Sequence, residues 1–204
     1  MARYTGPKHR LSRRAGFNLT GTRSRSLEGR LQTPPGAHGR KRRTRQSEYG
    51  KQLREKQSLK QYFGMTEGQF RRTFEQAMSS PEPTGEAFLK LLESRLDNVV
   101  YRLGFTPTRP MARQLVNHGH VLINGRKVNI PSYRVTPGEQ ITVSERAAAI
   151  PDVVESVVDG GRWIPSWLER ERDRAVGRVI AAPNPEEAGI PVDIEAIISF
   201  YARM

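Results

Sequence analysis

The chain has 204 residues, enough for one large or two modest domains, and a formal net charge of +13. Hydrophobic residues make up 36%, and no apolar run is long enough to cross a membrane as a helix. Cysteine is absent, which excludes disulfides and thiol redox chemistry and fits cytoplasmic residence.

The charge is concentrated at one end. Residues 1–60 hold 17 Lys and Arg against 3 Asp and Glu, a net of +14; residues 61–204 hold 17 against 18, a net of −1. Such a concentration points to a polyanionic partner, because neutralising phosphates releases their counterions. The densest run is Arg40, Lys41, Arg42, Arg43 and Arg45. An anionic membrane would attract it too, but no amphipathic anchor or lipidation signal accompanies it. A targeting signal would explain that run and leave Arg3, Lys8, Arg10, Arg13, Arg14, Arg23 and Arg25 unexplained. With Tyr4, all of these are candidate RNA contacts. The opening MARYTGPKHR lacks the apolar core of a signal peptide.

Residues 1–45 show little periodicity. Leu11, Phe17, Leu19, Leu27 and Leu31 are too few and too irregular for a core, so this segment is expected to be poorly ordered alone and to fold against RNA. Ser47 is placed to cap a helix running to Tyr62. Its candidate RNA contacts are Tyr49, Gln52, Arg54, Lys56 and Gln57; Tyr49 and Tyr62 serve base stacking or core packing equally well. Thr66-Glu67-Gly68-Gln69 matches a capping box. The helix it opens carries Phe70, Phe74, Ala77 and Met78 on one face, with Arg71 and Arg72 beside it as further candidates. Residues 79–85 read as a loop.

From Glu86 to Leu103, apolar residues recur at three- and four-residue spacing, which predicts one continuous helix capped by Thr84 and ended by Gly104. A shorter helix follows from Arg109 to His118, with Thr108 as cap and Pro110 in the first turn. Met111, Ala112, Leu115 and Val116 form its apolar face. Arg109, Arg113 and Asn117 fall on another face, with Gln114 and His118 alongside. His120–Ile123 reads as a strand, Asn124-Gly125 as a two-residue turn and Arg126–Val128 as the return strand. The candidate contacts of this module are Arg109, Arg113, Gln114, His118, His120, Asn124, Arg126 and Lys127. It presents rigid hydrogen-bond donors and carries no nucleophile, paired carboxylate or metal cluster.

Beyond Val143, Ile150–Val158 reads as a helix, and Leu168–Arg172 and Ala175–Ile180 as strands that extend the sheet begun at His120. Residues 181–191 read as a proline-rich linker. Asp193–Tyr201 reads as a closing helix, apolar at Ile194, Ile197, Ile198, Phe200 and Tyr201.

Several segments in order resemble the family of bacterial small-subunit ribosomal protein four. They are MARYTGPKHRLSRR at the start, PGAHGRKRR at 35–43, SEYGKQLREKQ at 47–57, LESRLDNVVYRLGF at 92–105, and ARQLVNHGHVLINGRKVNIPSYRVTPGE at 112–139. The resemblance implies an α+β fold. It places a basic RNA-dependent segment at 1–45 and helical domain one at 46–92, completed by the C-terminal helix 192–204. Domain two, at 93–182, would hold the helix-turn-helix and hairpin RNA-binding module 94–156 and a small antiparallel sheet.

The resemblance further implies a non-enzymatic primary binder of 16S-type rRNA at a junction in the 5′ domain, and nucleation of small-subunit assembly. It implies a place at the mRNA entry channel, with small-subunit ribosomal proteins five and three as partners, and a contribution to translational accuracy. Zinc-binding relatives carry a CxxC where this chain has His9-Arg10-Leu11-Ser12; with no cysteine, no zinc or other cofactor is assigned.

Two other readings compete. An RNA-modifying enzyme with an appended RNA-binding module would need a catalytic domain, and too little chain remains outside 94–180; no nucleophile–base pair or Gly-rich phosphate loop is evident. A free RNA-binding stress or recycling factor is the other.

Overall fold

The computed structural model of the chain describes residues 4–36, 46–159, 161–172 and 174–203. The chain divides into two compact units, Met1–Gly85 with Ile190–Met204, and Glu86–Gly189. Helices and one antiparallel sheet make the architecture α+β, as expected.

The first unit is helical. Helix α1 spans Lys8–Ala15 and α2 Arg25–Glu28. The expectation that this stretch has no core is corrected, because Leu19 and Leu27 are buried and the Leu19 N–H donates to buried Ser12 Oγ at 3.2 Å. The irregular spacing hid this. These apolar residues come from a loop and a single helical turn, not from one periodic face.

Helix α3 covers Glu48–Tyr62, and Ser47 caps it by accepting the Gly50 N–H. Helix α4 covers Glu67–Met78. The capping box expected before it does not form. Thr66 makes no side-chain cap bond, and Gln69 Oε1, which should reach back, is buried without a hydrogen-bond donor. The last helix of the chain returns to pack on α3. Its aromatic residues explain why: Phe200 lies 5.6 Å from the Tyr49 ring, and Tyr201 stacks on Phe74 at 4.3 Å.

In the second unit the expected single helix over 86–103 is interrupted. Helix α5 covers Thr84–Glu93, Thr84 being its first residue, and α6 covers Leu96–Arg102. Between them the backbone leaves the helix to pair with a distant loop. The Leu96 N–H donates to Tyr133 O at 2.8 Å, and the Val135 N–H to Ser94 O at 2.9 Å. The apolar spacing does not reveal this break, because Leu92, Leu96, Val99 and Val100 stay in step across it. The corner is held by a buried network: Glu93 takes two bonds from Arg102, at 2.8 and 2.9 Å, and one from Asn98 at 2.9 Å.

Helix α7 spans Arg109–Asn117. Strands β1 (Val121–Ile123), β2 (Arg126–Val128) and β3 (Gln140–Val143) follow. Helices α8 (Glu145–Ala148) and α9 (Pro151–Val158) come next, then β4 (Leu168–Arg170) and β5 (Val176–Val179). The sheet order is β2-β1-β3-β5-β4, all antiparallel, so the two late strands do extend the sheet as expected. Gly177 fits only as glycine: a Cβ there would lie 2.7 Å from Leu103. The segment read as a linker holds a short 3-10 turn, Pro185–Ala188, and the Ala188 carbonyl accepts from Arg102 at 2.6 Å. Helix α10 (Ile194–Ala202) closes the first unit, capped by Asp193 Oδ1 accepting the Ala196 N–H.

Candidate nucleic-acid interface

In the second unit, Thr108 Oγ1 accepts the Met111 N–H and starts α7, with Pro110 in the first turn where its missing N–H costs little. Ala112, Leu115 and Val116 are buried, so the helical period turns Gln114 and Asn117 outward. His118, just past the helix, is exposed as well. The chain then reverses at Gly119, whose φ is 71°. His118 and His120 stand 6.2 Å apart between ring centroids, and His120 Nδ1 lies 3.4 Å from Ser144 Oγ.

At the hairpin tip, Asn124 (φ 49°) and Gly125 (φ 79°) both adopt the left-handed conformation that a two-residue turn of this hand requires. The Asn124 carboxamide oxygen accepts the Gln140 N–H at 2.9 Å, which ties the tip to β3. Arg126 and Lys127 are exposed on the return strand. The exposed members of this group are therefore donors carried on short, well-connected elements. They can hold phosphate oxygens and 2′-hydroxyls without ordering a loop.

Two predicted contacts of the module are engaged within it. Arg113 Nη1 donates to Asp97 Oδ2 at 3.0 Å, and Arg95 grips the same carboxylate at 2.7 and 3.1 Å. Burial and the nearby Arg95 charge pull the Arg113 guanidinium below its usual value, while Asp97 works the other way. The Arg109 guanidinium sits 4.1 Å from the Tyr101 ring centroid, and Arg162 sits 3.9 Å from it. Both guanidiniums thus lie against the Tyr101 ring. Arg162 also donates to the carbonyls of Tyr101, Thr106 and Pro107, fixing the corner that leads into α7.

Asp97 and Arg162 thus position the face, and no local pattern of residues signals it. In sequence Asp97 is one polar residue among the apolar positions of 86–103. Arg162 lies more than fifty residues from the carbonyls it binds, with no periodic signal linking them.

The first unit treats its candidates differently. Gln52 and Lys56 are buried, which corrects their placement on an open face. Lys56 Nζ bonds Glu67 at 2.5 Å and lies 4.6 Å from the Phe200 ring centroid. Burial pushes the Glu67 carboxyl up, but the hydrogen bonds and charges of Lys56 and Lys60 outweigh it and hold it below the usual carboxylate value. The helical period places Tyr49, Gln52 and Lys56 on one stripe, and α10 covers that side. Tyr49 remains exposed at its edge.

Arg54 donates to Ala15 O at the end of α1, and Arg13 to Thr33 O and Pro34 O, so both tie backbone together. Gln57 is half-buried; Tyr4, Lys8, Arg10, Arg14, Arg23, Arg25 and Arg72 are exposed; and Arg71 is exposed with an ion pair to Glu75 at 2.9 Å. Arg3 and the run Arg40, Lys41, Arg42, Arg43 and Arg45 lie outside the described residues.

A family model described as Ribosomal protein S4/S9 N-terminal domain matches residues 3–93, and one described as S4 domain matches residues 94–141. The chain is 48% identical over 203 residues to the small ribosomal subunit protein uS4 of Brevibacillus brevis. It is 50% identical over 206 residues to the protein of that name from Rubrobacter xylanophilus, and 49% over 211 residues to that from Aquifex aeolicus. Each match covers all of both chains.

Proposed function

The chain belongs to the uS4 family of small ribosomal subunit proteins, and on that footing we propose that it is a structural constituent of the small subunit that binds its rRNA and works in the ribosome. It is no enzyme in this reading. The observation that carries the proposal is full-length similarity near 50% to proteins of that name, joined to the donor-rich face of α7 and the hairpin.

The finer reading follows the family. The protein binds a helical junction in the rRNA 5′ domain early, nucleates assembly, and meets small-subunit proteins five and three beside the mRNA entry channel, where it contributes to accuracy. The division of labour follows the sequence boundaries: residues 1–45 neutralise phosphates, 46–92 with 192–204 form domain one, and 93–182 form domain two. In this division Arg40–Arg45 faces the message. Its replacement by alanines is expected to slow translation of hairpin-bearing messages more than unstructured ones, and equal slowing of both would remove the channel role.

Footprinting on 16S-type rRNA tests the core proposal. The expected result is protection clustered in the 5′ domain, with the protein retained on small subunits through a high-salt wash. A protein that washes off and leaves no footprint is a free RNA-binding factor instead.

A further inference from the structure

Residues 103–108 join α6 to α7 and set the direction in which α7 leaves. Two arginines from later in the chain hold this corner. Arg162 Nη1 donates to Tyr101 O at 2.7 Å and to Thr106 O at 2.8 Å, and its Nη2 to Pro107 O at 3.1 Å. Arg170, on β4, donates from Nη1 to Leu103 O at 3.2 Å. Both approach Gly104 closely: a Cβ there would lie 2.8 Å from Arg170 Nη1 and 4.0 Å from Arg162 Cβ. The Thr106 and Pro107 carbonyls come directly before Thr108, whose hydroxyl caps α7. Arg162 therefore grips the chain where the helix begins.

The chemistry suits the place. Carbonyls at and beyond a helix C-terminus lack intrahelical donors and sit at its negative end, and a guanidinium can serve several of them from one rigid plane. A lysine offers one point charge on a flexible stem and cannot reproduce that fork. Arg162 also lies against the Tyr101 ring, as does Arg109, the first residue of α7. The corner, the ring and the start of α7 are thus tied to one side chain. The match to the S4 domain model ends at residue 141, so Arg162 and Arg170 both reach the module from outside it. Three carbonyls occupy the Arg162 guanidinium, which fits an inward role rather than a phosphate contact.

We propose that Arg162 is a positioning residue for RNA binding: from beyond the matched domain it fixes the α6–α7 corner, and with it the bearing of the α7 face, and does not itself neutralise a phosphate. The proposal rests on the RNA-binding reading above and adds to it a residue from the segment that follows α9.

The test uses the full chain and 16S-type rRNA over a series of salt concentrations, with melting and amide hydrogen exchange of the free protein recorded for each variant. Arg162→Gln is expected to bind about fivefold more weakly per folded molecule. It should keep the parent's dependence of log affinity on log salt, because no phosphate contact is lost. Exchange should quicken at the Met111 and Ala112 amides, in the first turn of α7, and stay as in the parent at the sheet amides of Val143 and Val179. Arg162→Lys, which restores the charge but not the fork, is expected to fall between the two, and it carries the test if the glutamine form does not fold. A salt dependence flattened by about 0.7 to 0.9 makes Arg162 a phosphate contact and overturns the proposal. Affinity per folded molecule equal to the parent's, or faster exchange across the sheet as well, leaves Arg162 a residue of general stability and overturns it too. If the parent itself shows no salt-dependent binding, the RNA-binding reading fails and this proposal with it.

Discussion

Helices α3 and α7 carry similar polar side chains along one stripe, yet α3 turns its stripe into the protein while α7 turns part of its stripe out. On α3, Gln52 and Lys56 are buried where α10 packs. On α7 the buried positions are Ala112, Leu115 and Val116, and Gln114 and Asn117 stay in solvent. The difference lies in what covers each helix. The cover of α3 comes from the far end of the chain, so its polar stripe is not by itself evidence of a ligand. Arg113 and Arg109 are intermediate cases, each held by a partner from the preceding helix, α6.

The strongest way to break this contrast is through Arg113. If its bond to Asp97 is structural, Arg113→Glu does more than repel RNA, because it sets a second carboxylate beside a buried one. We expect a loss of about 3 kcal/mol in urea unfolding, the scale for breaking a buried pair. Arg113→Gln should lose less. An Arg113→Glu protein that unfolds with the parent would return Arg113 to the role of a purely outward contact.

A paired experiment sharpens the contrast. Lys56→Met keeps the buried stem and removes the charge that Glu67 and Phe200 hold. It is expected to cost about 1–2 kcal/mol in stability and to leave rRNA affinity per folded molecule unchanged. Arg126→Ala with Lys127→Ala should do the reverse. Stability should stay within about 0.5 kcal/mol, and the salt dependence of binding should flatten by roughly 0.7 to 0.9 for each phosphate no longer neutralised. If Lys56→Met weakens binding while the hairpin variant does not, the two faces have been assigned the wrong way round.

Much of the second unit was legible because its signals are local. Thr108 before Pro110, Asn124-Gly125 between two short strands, and the buried spacing of 112, 115 and 116 each act within one or two turns of chain. What stayed hidden was non-local. The break at Ser94-Arg95 depends on pairing with residues 133–135, and the anchoring of Arg109's corner depends on Arg162. In the first unit, the residues that bury Lys56 lie some 140 positions away, and the core around Leu19 and Leu27 has no period at all. Of the α3 candidates, Gln52 and Lys56 are buried, while Tyr49 is exposed and Arg54 and Gln57 are half-buried, a difference that residue type alone does not carry.

The smallest expected effect is a pH dependence confined to the first unit. Glu67 bonds Lys56 and Lys60, and it is held below the usual carboxylate value despite the opposing effect of burial. A carboxyl depressed in the folded state stabilises the fold above its unfolded value, and that contribution disappears as pH falls through the folded value. Glu67→Gln should therefore differ from the parent near neutral pH and converge with it in acid. Glu67 is 46% exposed, so solvent screening limits the gap to roughly 0.5 kcal/mol. Thermal melts of both proteins between pH 7 and strongly acidic conditions provide the check. A gap that holds constant down to acid would mean that Glu67 contributes through packing, and that the ion pairs beneath α10 leave the stability of the covered stripe unchanged.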